Sequence, residues 1–212
     1  MKRPAPSAVV AFLVVVIVAG LIVAALAVGT DGASAVEVGD QRVSRESVND
    51  ELRAVSDNDD LQRAAGPDAL SGSPGTVRSD AGTALVLTGV LQEALIREFL
   101  ERRGERITSA DRDEALRLRP QTTVGQFYPG FPKWYRDRYD ERLAAYAALA
   151  RVLDVTITDQ DAGTVITPVL QRAVKRSGVS VDPRYGRFAT RLVEVVPYNV
   201  TGADIASSLQ SG

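Results

Sequence analysis

The chain contains no cysteine and no histidine. Disulfides, thiolate nucleophiles, zinc sites built on either residue, and every Ser-His-Asp or Cys-His triad are therefore excluded. Lysine is scarce as well. Lys2, Lys133 and Lys175 are the only lysines, and none follows a serine by three positions, so a Ser-x-x-Lys arrangement is missing. Lys+Arg number 25 and Asp+Glu 27, and this net charge of -2 leaves no basic excess that would point to nucleic acid. No glycine pattern matches a phosphate-binding loop, because Gly72-x-x-Gly75 has neither a flanking strand nor a lysine. Any catalysis would rest on carboxylates, arginines and hydroxyls.

What is present is a chain of 212 residues, 45% hydrophobic and 25% charged, enough for one or two domains that fold in water. The first apolar feature is the run from Ala8 to Val28, which holds no charge and follows Lys2 and Arg3. A helix of that length spans about 32 Å, close to the hydrocarbon core of a bilayer. The basic end predicts a cytoplasmic stub over 1–7, an anchor over 8–28, and an extracytoplasmic remainder. Two readings are open: an uncleaved single-pass anchor in the cell membrane, favoured by the length of the run, and a signal cleaved near Ala35, at Ala33-Ser34-Ala35, with secretion as the result. Ala25-Leu26-Ala27 is a second site of the same kind, inside the run.

After a linker over 29–35, Val36 and Val38 alternate before Gly39-Asp40, the pattern of a short strand and turn. Ser44 is an N-cap candidate, and Val48, Leu52 and Val55 recur at helical spacing, predicting a helix over 45–56. Residues 66–80 are rich in Gly, Pro and Ser, which predicts a mobile loop, with a short helical piece before it. The broad apolar stripe of Val86, Leu87, Val90, Leu91, Leu95 and Phe99 predicts a central helix over 82–103, stopped at Gly104. Thr108 and Asp111 form a capping-box pattern for a helix over 109–118 that Pro120 ends. A loop over 121–132 leads to a helix from Pro132 to Leu153.

Val155 and Ile157 predict a second strand, paired with the one near Val38. Thr158 and Asp161 predict a cap for a helix over 159–177, kinked or interrupted at Pro168. Asp182-Pro183 with Gly186 reads as a turn, Val193–Val196 as an extended piece, and 199–212 as a frayed end.

This order of strand, Gly-Asp turn, Val43-Ser44-Arg45 helix start, greasy helix and Gly104-Glu105-Arg106-Ile107-Thr108 resembles the amino-terminal domain of SurA-type chaperones and PrsA-like foldases. Val155-Thr156-Ile157-Thr158-Asp159 is similar to the strand-to-helix join after that family's long helix. Val179 to Phe188 looks like the ending of actinobacterial membrane-attached members that lack the isomerase domain. The resemblance implies a mainly α fold. An N-terminal transmembrane helix would precede a SurA-N-like helical chaperone domain over 36–188, with a short two-stranded β element and an extended tail over 189–212. It implies an extracytoplasmic chaperone-like domain that binds unfolded or newly exported polypeptides, using no cofactor and no catalysis. The parvulin isomerase that many members carry has no room here, and its usual histidines are missing. The alternative function is a membrane-anchored scaffold for one folded cell-envelope partner.

The sharpest candidate feature is aromatic. Phe127, Tyr128, Phe131, Trp134, Tyr135 and Tyr139 fall within 13 residues. One reading packs them as core. The other lets Phe127, Tyr128, Phe131, Trp134 and Tyr135, with Tyr185 from the later turn, line a groove for unfolded chains, because aromatics offer large area and few rotatable bonds. Trp134 lies out of step with Phe131, Tyr135 and Tyr139, so it is expected to face outward. The charges from Arg136 to Arg142 read as a solvated face or as a polar rim around the groove, and Arg102, Arg103 and Arg106 as a solvated helix end or as a patch steering the domain to acidic headgroups. Asp111, Asp113 and Glu114 read as capping residues rather than a metal cluster.

Overall fold

The computed structural model describes residues 33–65, 80–122, 124–157 and 162–196. Strand β1 (Ser34–Val38) and strand β2 (Gln41–Ser44) form an antiparallel hairpin in which Val38 faces Gln41. The turn needs Gly39: its φ is +56°, and a Cβ there would stand 2.6 Å from Glu98 Oε1. Ser44 caps helix α1 (Arg45–Asp57), its hydroxyl accepting from the Ser47 amide at 3.2 Å. Helix α2 (Asp59–Ala65) follows, the short piece expected before the Gly/Pro-rich segment.

Helix α3 (Asp80–Arg102) is the axis of the molecule. Leu87, Val90, Leu91, Leu95, Ile96 and Leu100 are all buried, so apolar residues point to every side, and α1, β1 and the elements that come later in the chain pack around it. Gly104, at φ +70°, carries the chain off its end. Helix α4 (Ser109–Leu118) opens with both halves of the Thr108–Asp111 capping box and lies along helix α5 (Lys133–Leu153). In α5 the run Ala144-Ala145-Tyr146-Ala147-Ala148-Leu149-Ala150 is wholly buried, its small residues allowing close approach of neighbouring backbones. Helix α6 (Ala162–Ser177) packs on α3 and runs through Pro168 without interruption.

Strand β3 (Val179–Val181) then pairs antiparallel with β1, Val36 opposite Val181, giving the order β2-β1-β3. The Asp182 amide donates to Ala35 O and its carboxylate pairs with Arg45 at 2.5 Å, so the turn at 182–185 is clamped to the start of α1. Strands β4 (Arg187–Ala189) and β5 (Glu194–Val196) form a second hairpin on α3. Thr88 accepts from the Val195 amide at 2.9 Å and donates to its carbonyl at 3.3 Å, and Gln92 donates to Val193 O at 3.1 Å. The packed fold therefore continues through Val196.

Two expectations are corrected. The strand expected at Val155–Ile157 is not formed; Asp154 ends α5 in the left-handed region at φ 56°, and the partner of β1 is Val179–Val181 instead. The second concerns the membrane. Among the described residues no helix is long and apolar enough to cross one. Even α3, the greasiest, carries Gln92, Glu93, Arg97 and Glu98 in its second half. The run 8–28 lies outside the described residues, as do the stub before it, all but the last residue of the expected 66–80 loop, the Thr158–Asp161 cap and the end over 199–212. The fold class of the described residues is accordingly a mainly α-helical bundle with short β strands, with no helix among them long and apolar enough to cross a membrane. On that finding the single-pass placement and the membrane as a partner are withdrawn; the alternative of secretion turns on a segment that lies mostly outside the described residues. The expected cleavage site Ala33-Ser34-Ala35 falls at β1, where Ala35 is buried.

Candidate functional site

The aromatic cluster forms a wedge that fixes the α4–α5 connection onto α5. Phe131, Tyr135 and Tyr139 are buried, with Phe131 meeting Tyr135 edge-on at 5.4 Å. Phe127 and Tyr128 are half-buried. The Tyr128 hydroxyl donates to Asp140 at 2.7 Å, and the Arg119 guanidinium lies 4.0 Å over its ring while pairing with the same carboxylate. Burial and the bond to Asp140 push the Tyr128 hydroxyl up to about 12. Tyr185 is buried in a separate contact, its hydroxyl donating to Asn49 of α1 at 3.1 Å. Only Trp134 of the six candidates is exposed, at 42%. The structure therefore does not gather the six on one open surface.

The charges expected on a solvated face divide. Arg142 is buried and reaches Glu93 of α3 at 3.0 Å, and Arg138 reaches buried Glu51 of α1 at 3.6 Å. Arg97 closes on Glu93 from outside at 2.8 Å, and the Tyr146 hydroxyl donates to Gln92 at 2.9 Å. Burial raises the Glu51 carboxyl well above its ordinary range, against the pull of Arg142 and Arg138. This polar seam lies inside the bundle. Its signal in the sequence is the i, i+4, i+8 row Arg138, Arg142, Tyr146, whose two arginines read there as surface. Glu51 and Glu93 are two carboxylates without a capping role, but they face guanidinia in the closed interior and not a cleft.

The open concavity with one sign of charge lies between the last turns of α3 and α6. It encloses about 220 Å³. Phe99, Leu153, Val169 and Ala173 form its floor, and Arg102, Arg103, Arg172 and Arg176 its rim; among the described residues no carboxylate lines it. Arg102 is held by buried Glu98 at 2.5 Å, and Glu98 also accepts from Ser177 at 3.2 Å, tying the two helix ends together. The Arg103 guanidinium lies 4.6 Å over the Phe99 ring. Among the described residues Arg103, Arg172 and Arg176 have no carboxylate partner. The sequence pattern alone presents Arg102 and Arg103 as a solvated helix end or a patch for acidic headgroups and assigns nothing to Arg172 or Arg176. Only the packing of α6 against α3 brings the four together. A larger depression on the other side of α3, about 530 Å³, is of mixed charge; Arg97 and Arg112 there are committed to Glu93 and Glu141.

The acidic triplet of α4 is engaged locally. Burial pulls the Asp111 carboxyl upward, but hydrogen bonds from Arg151 and Thr108 outweigh it and hold it below its ordinary value. Glu114 pairs with Arg117. Among the described residues no group of acidic side chains is arranged to hold a metal ion. The chain matches no protein-family model, no curated protein and no solved structure. The likeness to SurA-type chaperones gains no support from these comparisons, and no family is assigned.

Proposed function

We propose that this chain is a non-catalytic polypeptide-binding domain of the chaperone kind, holding extended segments of other proteins by seating an apolar side chain between α3 and α6. The observation that carries this reading is the groove itself: an apolar floor left open while the surrounding core is closed. Its volume is below the roughly 300–1,000 Å³ of sites that engulf drug-sized molecules, and suits one or two side chains of a longer chain. Contacts of that size give weak binding with fast release, the behaviour a holding function needs. The strand-turn-helix opening and long central helix, the order on which the SurA-type likeness rests, are compatible with such a role.

The test is fluorescence anisotropy of labelled, unstructured Gly/Ser peptides carrying one Leu or Phe, titrated with the full chain. Saturable binding is expected, weakened about tenfold in Phe99→Ala, with thermal unfolding recorded for both proteins. Trp134 is a poor reporter, since it stands 19 residues before Leu153 on α5, about 29 Å along the helix. No saturable binding to any peptide, or binding indifferent to Phe99→Ala, overturns the reading.

A further inference from the structure

Building on the groove as a polypeptide site, we infer that it selects acidic segments: an apolar anchor residue flanked by carboxylates. The chain as a whole is slightly acidic, yet among the described residues four arginines and no carboxylate line this one concavity. Helix ends explain part of that. Arg102 and Arg176 sit in the last turns of α3 and α6, where a cation complements the macrodipole. The two C-termini together amount to about one negative charge, and Glu98 supplies another, so about two of the four positive charges remain uncompensated.

The rim is also built to receive planar anions. Arg103 is laid over Phe99 and Arg102 is held by Glu98, so less side-chain freedom is lost when they engage a ligand. Arg172 and Arg176 are one turn apart on α6, about 6 Å between their Cβ atoms. An extended peptide places residues i, i+2 and i+4 on one side, about 7 Å between successive ones, so carboxylates at i and i+4 flank a same-side residue at i+2, one meeting Arg172 and Arg176 and the other Arg102 and Arg103. Arginine forks bind carboxylates in bidentate fashion. An apolar residue between such carboxylates reaches the floor of Phe99, Leu153 and Val169. An acidic peptide fits better than a lipid because the enclosed volume is that of side chains and not of an acyl chain.

Three labelled peptides in one Gly/Ser host test this, with cores Glu-Ser-Leu-Ser-Glu, Gln-Ser-Leu-Ser-Gln and Glu-Ser-Ser-Ser-Glu. They are titrated with the full chain and with Arg172→Gln/Arg176→Gln, whose exposed side chains leave the core untouched. The Glu-Leu-Glu peptide is expected to bind at least tenfold more tightly than either other peptide. That advantage should disappear in the double variant. It should also fade between about 0.1 M and 1 M salt, as the Debye length falls from about 10 Å to about 3 Å. Equal binding of the Glu and Gln peptides overturns the acidic preference and leaves the polypeptide site standing. Failure of all three peptides overturns both. If vesicles of phosphatidylglycerol bind where the peptides fail, and the double variant abolishes it, the groove is an anionic-lipid site and the peptide inference is wrong.

Discussion

Arg142 of α5 and Glu93 of α3 meet at 3.0 Å with side chains only 1% and 3% exposed. Around them Glu51, Arg138 and Arg97 complete a row of alternating charge, and Arg142 Nε and Nη1 have no hydrogen-bond partner among the described residues. The pair fixes how the two longest helices register against each other.

Removing one member leaves the other charge buried. Arg142→Met or Glu93→Leu alone should cost about 3–5 kcal/mol. The double variant should cost far less than the sum, because two apolar residues can share that space. Urea unfolding of the four proteins reads the coupling; additive losses would show that the pair does not act as a unit.

Glu51 should give a pH dependence of unusual sign. Its folded-state carboxyl is raised, chiefly by burial, so its contribution to stability is present below its ordinary value of 4.5 and is lost as pH rises toward the folded one. Glu51→Gln and the parent should be close in stability near pH 4, with the variant gaining progressively up to pH 8. A constant difference between them across that range would contradict the assignment.

Asp182 runs the other way. Burial pulls it upward, but the Arg184 amide and Arg45 outweigh this and hold it below 3.8. Its stabilisation is present above pH 4 and fades as pH falls through the depressed value. Asp182→Asn should therefore lower the melting temperature at pH 7 and matter much less at pH 2.

The described tyrosines 128, 135, 139, 146 and 185 all hold their protons more tightly than a free phenol, Tyr128 to about 12. Burial is the leading cause in each. Absorbance at 295 nm should show much less phenolate in the native protein than in urea near pH 10.5. The associated stability is intact below pH 10 and is lost on going higher.

One hydroxyl, that of Thr88, engages both backbone groups of Val195 in the second hairpin. Thr88→Val keeps the shape of the side chain but leaves the Val195 amide without its acceptor, a loss of about 1–3 kcal/mol. Hydrogen exchange should rise first at residues 187–196.

The local chemistry was readable because it depends on neighbours in sequence. Ser44, the Thr108–Asp111 box, Gly104 and the periodic apolar residues of α1, α3 and α5 each fix their own turn of chain. The partner of β1 was not readable in the same way. Val155–Ile157 and Val179–Val181 offer similar alternation, and only the course of α6 decides which one arrives beside Val36. Arg142 was misread because a charge on an amphipathic helix is ordinarily outside. Nothing local reports that Glu93, 49 positions earlier, will meet it. The groove failed to show for the same reason: its rim comes from two helices far apart in the chain.

The pairing of Val36 with Val181 also sets a timetable for biosynthesis. β1 emerges from the ribosome about 145 residues before its second neighbour exists. At about 5–20 residues per second this is a wait of roughly 7 to 30 seconds. In that interval β1 and β2 can form their hairpin, but the free side of β1 is an open edge to which a foreign strand could add. The first strand to be made is therefore among the last to be sealed, and truncation anywhere before Val179 leaves it unsealed permanently.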